Sequence, residues 1–217
     1  MPHREKSYTR GEEIANSITH GLGALLSIAG LVVLVVFASL RGDAWSVVGV
    51  SIFGASLIVL YLASTLYHGF PWPRVKAVFR KLDHAAIYFL IAGTYTPFVL
   101  VNLRGPWGWT LFGLAWGLAA AGILFEVLTR RPPKWLSLSF YIGLGWLIAI
   151  AAKPLFQSVP SLGLIFLGLG GLAYTLGTIF YAWKKLPYHH AVWHLFVVAG
   201  SVMHFFSIYF SVIPRPA

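Results

Sequence analysis

The sequence predicts an all-α membrane protein: a bundle of seven transmembrane helices with the N-terminus in the cytoplasm and the C-terminus outside. Three observations predict it. Hydrophobic residues make up 58% of the 217 and charged residues only 10%, whereas soluble domains carry about 25% charged. Five stretches approach or exceed the ~20 residues that a spanning helix needs with almost no charge in them, and two more fit with one polar interruption. Finally, the basic residues divide unevenly between the two sides that such a chain presents.

The spans fall near residues 18–40, 44–67, 84–102, 107–128, 135–152, 159–183 and 190–212, so that residues 1–217 form a single seven-helix domain with no soluble part. Gly and Pro mark the turns between them. On the outer side these are Arg41, Gly42 and Asp43, then Asn102 to Pro106, then Lys153 and Pro154. On the inner side they are Phe70 to Pro73, Arg130 to Pro133, and Lys184 to Pro187. Trp45, Trp72, Trp107, Trp109, Trp135 and Trp183 cluster at span ends, as an interfacial aromatic belt requires. Glycines inside spans, among them Gly113, Gly117, Gly122, Gly168, Gly170 and Gly171, predict close helix packing. Thr94, Tyr95, Thr96 and Pro97 predict a kinked helix. The two halves share no repeat of the kind that marks many transporters.

Twelve of the 16 basic residues fall on the N-terminal side: Arg4, Lys6 and Arg10; Arg74, Lys76, Arg80 and Lys81; Arg130, Arg131 and Lys134; and Lys184 and Lys185. Arg41, Arg104, Lys153 and Arg215 face the other way. Over short loops this bias places the N-terminal side in the cytoplasm. The net charge of +10 therefore sets topology and meets anionic lipid headgroups; nucleic-acid binding has no support. The first 13 residues are polar and lack a small-residue cleavage site, so no removed signal peptide is expected. With no cysteine, any metal must be held by histidine and carboxylate.

Ionisable residues near hydrocarbon are costly and mark functional sites. His20, His68, Asp83, His190 and His194 all fall at span ends on the cytoplasmic side of this topology. His190 and His194 form H-x-x-x-H, which puts both imidazoles on one helix face, although such a pair alone also suits a helix start reaching headgroups. The Glu that follows the first His in zinc proteases is missing. His68 closes the second span and Asp83 opens the third. Three histidines and one oxygen make a tetrahedral zinc set with a fourth position open to water. Asp83 either binds the metal directly or holds its water as a base, or simply caps a helix.

Glu13, Asn16 and His20, at i, i+3 and i+7, form one stripe and can orient ligand imidazoles. Ser64, one turn before His68, is a further hydrogen-bond donor to the site. His84 and His189 adjoin these candidates and replace them if the helices are rotated. His204 lies ten residues past His194, about 15 Å deeper by helical rise, and either lines a cavity or bonds to a neighbouring helix. Glu126, four residues before Arg130, reads as half of an interfacial ion pair.

Glu13-x-x-Asn16-x-x-x-His20, Ser64-x-x-x-His68 followed by Asp83, and His190-x-x-x-His194 leading to His204 and Phe205 together resemble the hemolysin III family, the bacterial branch of the progestin and adipoQ receptor family. The resemblance covers nearly the whole chain. It implies a seven-helix bundle in the bacterial plasma membrane with a zinc ion near the cytoplasmic face. By similarity to the adiponectin receptors, His68, His190 and His194 would be the ligands and Asp83 would hold the zinc-bound water.

The reading that follows is a zinc-dependent hydrolase of a lipid amide or ester, similar to alkaline ceramidases, with a role in membrane-lipid homeostasis and a lipid substrate entering between the helices. Zinc would activate water near neutral pH, Asp83 would take its proton, and Ser64 would help the developing oxyanion. The family's label implies a pore-forming cytolysin instead, but a pore needs polar residues through the full thickness of several helices. The remaining alternative is a lipid sensor or receptor with structural zinc; outer loops of a few residues argue against a protein ligand.

Overall fold

In the computed structural model, residues 8–129 and 132–214 are described. Helix α1 is Arg10–Arg41, α2 Ala44–Gly69, α3 Pro73–Pro97, α4 Pro106–Leu128, α5 Lys134–Gly145, α6 Ala152–Ser158, α7 Ser161–Ala182 and α8 His189–Val212. A π-helical turn, Phe98–Asn102, extends α3, and a 3-10 segment, Leu147–Ala151, joins α5 to α6. Counting these extensions, seven helices among the described residues are long and apolar enough to cross a membrane. Arg4, Lys6, Arg130, Arg131 and Arg215 lie outside the described residues.

Helix α1 starts well before the first apolar run. Thr9 caps it: its hydroxyl accepts from the Glu12 amide at 3.2 Å while the Glu12 carboxylate accepts from the Thr9 amide at 2.8 Å, a reciprocal capping box. Glu13 and Asn16 therefore sit on regular helix. Beyond them α1 turns Leu22, Leu25, Leu26 and Leu40 outward, each more than half exposed, as a surface that faces lipid does. Its inner face puts Leu34 and Ala38 into a core with Val50, Phe53 and Leu60 of α2 and Leu90 of α3.

Helix α3 departs from expectation. Its N-terminus is at Pro73, with Trp72 at the cap position, so Asp83 lies three turns inside the helix and is not an N-cap. The basic stretch from Arg74 to Lys81 is helical despite its charge because its backbone is satisfied within the helix, whatever the side chains do. The helix is also the most enclosed of the seven, with 72% of its most apolar window buried against 17% for the spans of α5 with α6 and of α7. Where a kink was expected, Pro97 supplies no amide donor and the helix passes into a wider π turn immediately after it. Gly49 of α2 lets the helices meet there, since a Cβ at that position would come within 2.9 Å of the Pro97 Cα.

The fifth span is broken after Gly145. Tyr95 of α3 supports the break, its hydroxyl donating to the Leu144 carbonyl and accepting from the Ile148 amide, both at 2.8 Å. Backbone groups freed inside hydrocarbon need such partners. Lys153 and Pro154, expected in a turn, belong to α6, and the turn falls at Val159 and Pro160. Proline fits there because the first turn of a helix has no use for its missing donor.

Of the glycines expected to serve packing, Gly122 lies against the Tyr88 ring and Gly170 against the His204 ring, while Gly171 meets Trp146 at ordinary contact distance. Gly113, Gly117 and Gly168 face open space. The tryptophans do form belts: Trp45, Trp72, Trp107, Trp109, Trp135 and Trp183 are all exposed at helix ends.

Candidate metal centre

The ends of three helices meet at the face that carries Thr9. His68 comes from the last turn of α2, His190 and His194 from the first turns of α8, and Glu13, Asn16, Thr19 and His20 from one side of α1. Tyr188, in the left-handed region at φ 54°, starts α8 and donates its amide to the Glu12 carboxylate at 3.2 Å. This contact ties the start of α8 to the first turn of α1. A non-glycine residue in that conformation is strained and persists where surrounding structure fixes it.

His68, His190 and His194 are buried, and one nitrogen from each lies within 4.8 Å of the other two. The protonation pattern follows from their partners. His68 Nδ1 donates to Glu13 Oε2 at 2.7 Å, with the Asn16 side-chain amide 3.4 Å away. His194 Nδ1 donates to the Asn16 carbonyl at 3.1 Å and adjoins the Thr19 hydroxyl at 3.2 Å. With both Nδ1 atoms so engaged, each ring presents Nε2 as a lone pair. His68 Nε2 and both nitrogens of His190 have no hydrogen-bond partner. Each orphaned buried polar group costs about 1–3 kcal/mol, and a shared cation would take one nitrogen from each ring. The cluster could hold a metal, and an all-imidazole set suits zinc, copper, iron or nickel.

Glu13 is itself held, its Oε1 being 2.8 Å from Lys76 Nζ of α3. His20 approaches differently from Glu13 and Asn16. It stacks flat on His194 with ring centroids 3.4 Å apart, meets Tyr61 edge-on, and neither of its nitrogens has a partner. Ser64 is fully buried and its hydroxyl also lacks a partner. Asp83 is buried beside the centre, with Ser64, His68 and His84 among its polar surroundings, but its carboxylate is outside the group of atoms that converge. His189 turns to the Phe180 carbonyl at 3.2 Å.

Sequence reasoning missed Thr19 and Lys76. Thr19 was findable, being three residues past Asn16 on the same helix face. Lys76 was not, because its approach to Glu13 depends on the extra turns of α3. Glu126 has partners that the local reading did not name. The pairing with Arg130 lies outside the described residues, and the carboxylate is buried among Ser137, Tyr141 and His84.

A cavity of about 1360 Å³ adjoins the centre. Asp83, His190 and His194 line it, and Leu90, Leu155 and Leu164 are among its apolar residues. His204 has its Nε2 3.3 Å from the Leu167 carbonyl of α7; it thus both bonds to a neighbouring helix and lines the cavity.

Fold and site together define a class: a multi-pass integral membrane protein of seven helices with a buried three-histidine cluster at one end and an apolar cavity beside it. The model of the family described as Haemolysin-III related matches residues 8–205, and the chain belongs to that family. It is 51% identical over 203 residues to Hemolysin-3 of Bacillus cereus, covering 94% of this chain and 93% of that protein. A Bacillus subtilis (strain 168) Hemolysin-3 homolog is 49% identical over 209 residues, 96% and 98% of the two chains. The human monocyte to macrophage differentiation factor is 30% identical over 204 residues, 91% of this chain and 83% of that protein.

Proposed function

We propose that the protein is a zinc-dependent hydrolase of a lipid amide or ester, acting at the cytoplasmic side of the bacterial plasma membrane and contributing to membrane-lipid homeostasis. One observation carries this reading: three imidazoles converge, two of them with orphaned nitrogens, beside a large, mostly apolar cavity. His68, His190 and His194 would hold the ion, and Glu13 and Asn16 would fix two of the three rings through their Nδ1 hydrogens. Bound zinc supplies a water with a pKa near 7 and polarises a carbonyl.

The residues of the chain do the rest. The apolar cavity takes the acyl chain and keeps its scissile bond at headgroup depth. Asp83, buried and outside the converging nitrogens, takes the proton from the attacking water. The buried Ser64 hydroxyl, beside Asp83, would turn to donate to the carbonyl oxygen as negative charge develops there, a kind of stabilisation worth several kcal/mol in a dry site. His20 packs His194 in place. The test is turnover of lipid amides and esters by zinc-loaded protein in detergent, beside Asp83→Ala, which is expected to keep its metal and lose turnover. Full activity in Asp83→Ala contradicts this mechanism.

A second reading, a cytolysin, is favoured by one observation, the printed name Hemolysin-3 of a relative that is 51% identical. The apolar inner part of the cavity opposes a water-filled pore. Lysis of red cells by purified protein, retained in a His190→Ala/His194→Ala variant, would favour it over metal-dependent chemistry.

A further inference from the structure

Glu126 takes no part in the centre described above, yet its side chain is only 1% exposed and a charge so placed is costly unless paired. Two neighbouring helices build around it. From α5, the Ser137 hydroxyl donates to Oε1, and the Tyr141 hydroxyl is shared between the same oxygen at 3.4 Å and the His84 carbonyl at 3.1 Å. From α3, the His84 ring turns its Nδ1 to Oε2 at 3.6 Å. That separation is longer than a hydrogen bond and within ion-pair range, as is common for acid–base groups before substrate tightens them. Tyr88, also on α3, has a buried hydroxyl without a partner and packs its ring on Tyr141 at 4.6 Å.

His84 is the open member of this cluster. Its side chain is 28% exposed, and it lines the same cavity as Asp83, His190 and His194. With Nδ1 facing the carboxylate, Nε2 occupies the opposite edge of the ring. Asp83 and His84 are adjacent on α3, so their side chains leave the helix about 100° apart and can address two different atoms of one ligand. The carboxylate behind Nδ1 orients the ring, and an imidazole held in this way can pass a proton to a ligand atom through Nε2.

We propose that His84, held by Glu126, is the group that protonates the leaving atom in the hydrolysis, while Asp83 serves the attacking water. The inference rests on the hydrolytic reading above. In the step, one proton of the attacking water passes to Asp83 as its oxygen bonds to the acyl carbon. The bond from that carbon to nitrogen or oxygen then breaks, its electron pair stays on the leaving atom, and that atom takes the proton from His84 Nε2. His84 regains a proton from solvent at the cavity mouth, the proton on Asp83 returns to solvent, and the acid product releases the second proton of the water to solvent as it leaves as the carboxylate. The alternative is that Asp83 carries the proton across and does both jobs.

Two probes separate these. In a lauroyl aminocoumarin amide the leaving nitrogen must be protonated; in a lauroyl p-nitrophenyl ester the leaving oxygen departs as an anion. The full-length zinc-loaded protein is compared with His84→Gln and Glu126→Gln, with metal content measured for each as a check on the fold. His84→Gln should slow the amide by about 100-fold or more and the ester by less than about threefold, with metal content unchanged. Glu126→Gln should shift the same ratio in the same direction by a smaller factor. If His84→Gln slows both probes alike, or leaves the amide-to-ester ratio unchanged, the inference is overturned while the hydrolase stands. If the wild-type protein cleaves neither probe, the hydrolytic reading falls and takes the inference with it.

Discussion

Two residues of α1 determine how the imidazoles of α2 and α8 present themselves. Glu13 and the Asn16 backbone each engage an Nδ1, of His68 and His194 respectively, which fixes the tautomer that leaves Nε2 for a ligand. Partners of this kind commonly contribute 10–100-fold to metal affinity. Glu13→Ala is thus expected to weaken metal binding by about 10–100-fold, measured by chelator competition. Part of that loss would come from releasing Lys76, which Glu13 also holds. Wild-type affinity in Glu13→Ala would show that ring orientation does not depend on it. The stripe Glu13, Asn16, His20 was legible from helical spacing alone. The manner of contact was not, since stacking of His20 on His194 is set by how α1 and α8 cross, which spacing within one helix does not encode.

At the scale of elements, the enclosed α3 organises the bundle, and two of its contacts can be tested. Tyr95 satisfies backbone groups at the break in the fifth span, so Tyr95→Phe should cost about 1–3 kcal/mol by leaving them unpaired, read as a lower midpoint of thermal unfolding in detergent. No shift would mean that the break is held by other contacts. Gly49 allows α2 to meet α3 at Pro97; Gly49→Val should destabilise the bundle more than Gly113→Val, because Gly113 faces open space. The same pair shows why the packing glycines were only partly legible. A glycine inside an apolar span says that a close approach is allowed, and only the rotation of the helix decides whether a neighbour takes it. The early start of α3 was missed for a different reason. Hydropathy marks where a helix enters hydrocarbon, whereas α3 begins in its basic stretch ten residues before Asp83, which also brings Lys76 to Glu13.

For the whole molecule, the seven spans were legible because the membrane demands length and apolarity of each, and these are properties of sequence. The face shared by His68, His190, His194 and Asp83 followed from counting spans. Which side of the membrane that face occupies is the expectation of the basic-residue bias. The absence of cysteine makes it testable, because any introduced thiol is unique. In intact cells a membrane-impermeant thiol reagent should label Arg104→Cys and leave Lys185→Cys unlabelled until lysis. The reverse pattern would place the histidine cluster outside.

The central claim is that the three-histidine cluster binds zinc. Elemental mass spectrometry of the detergent-purified protein, beside the His190→Ala/His194→Ala variant, tests it most directly. The account predicts about one zinc per chain in the wild-type protein and its loss in a variant that remains folded. A folded wild-type protein that takes up no zinc from zinc-containing buffer would contradict the account and leave the histidines as buried polar groups without a metal.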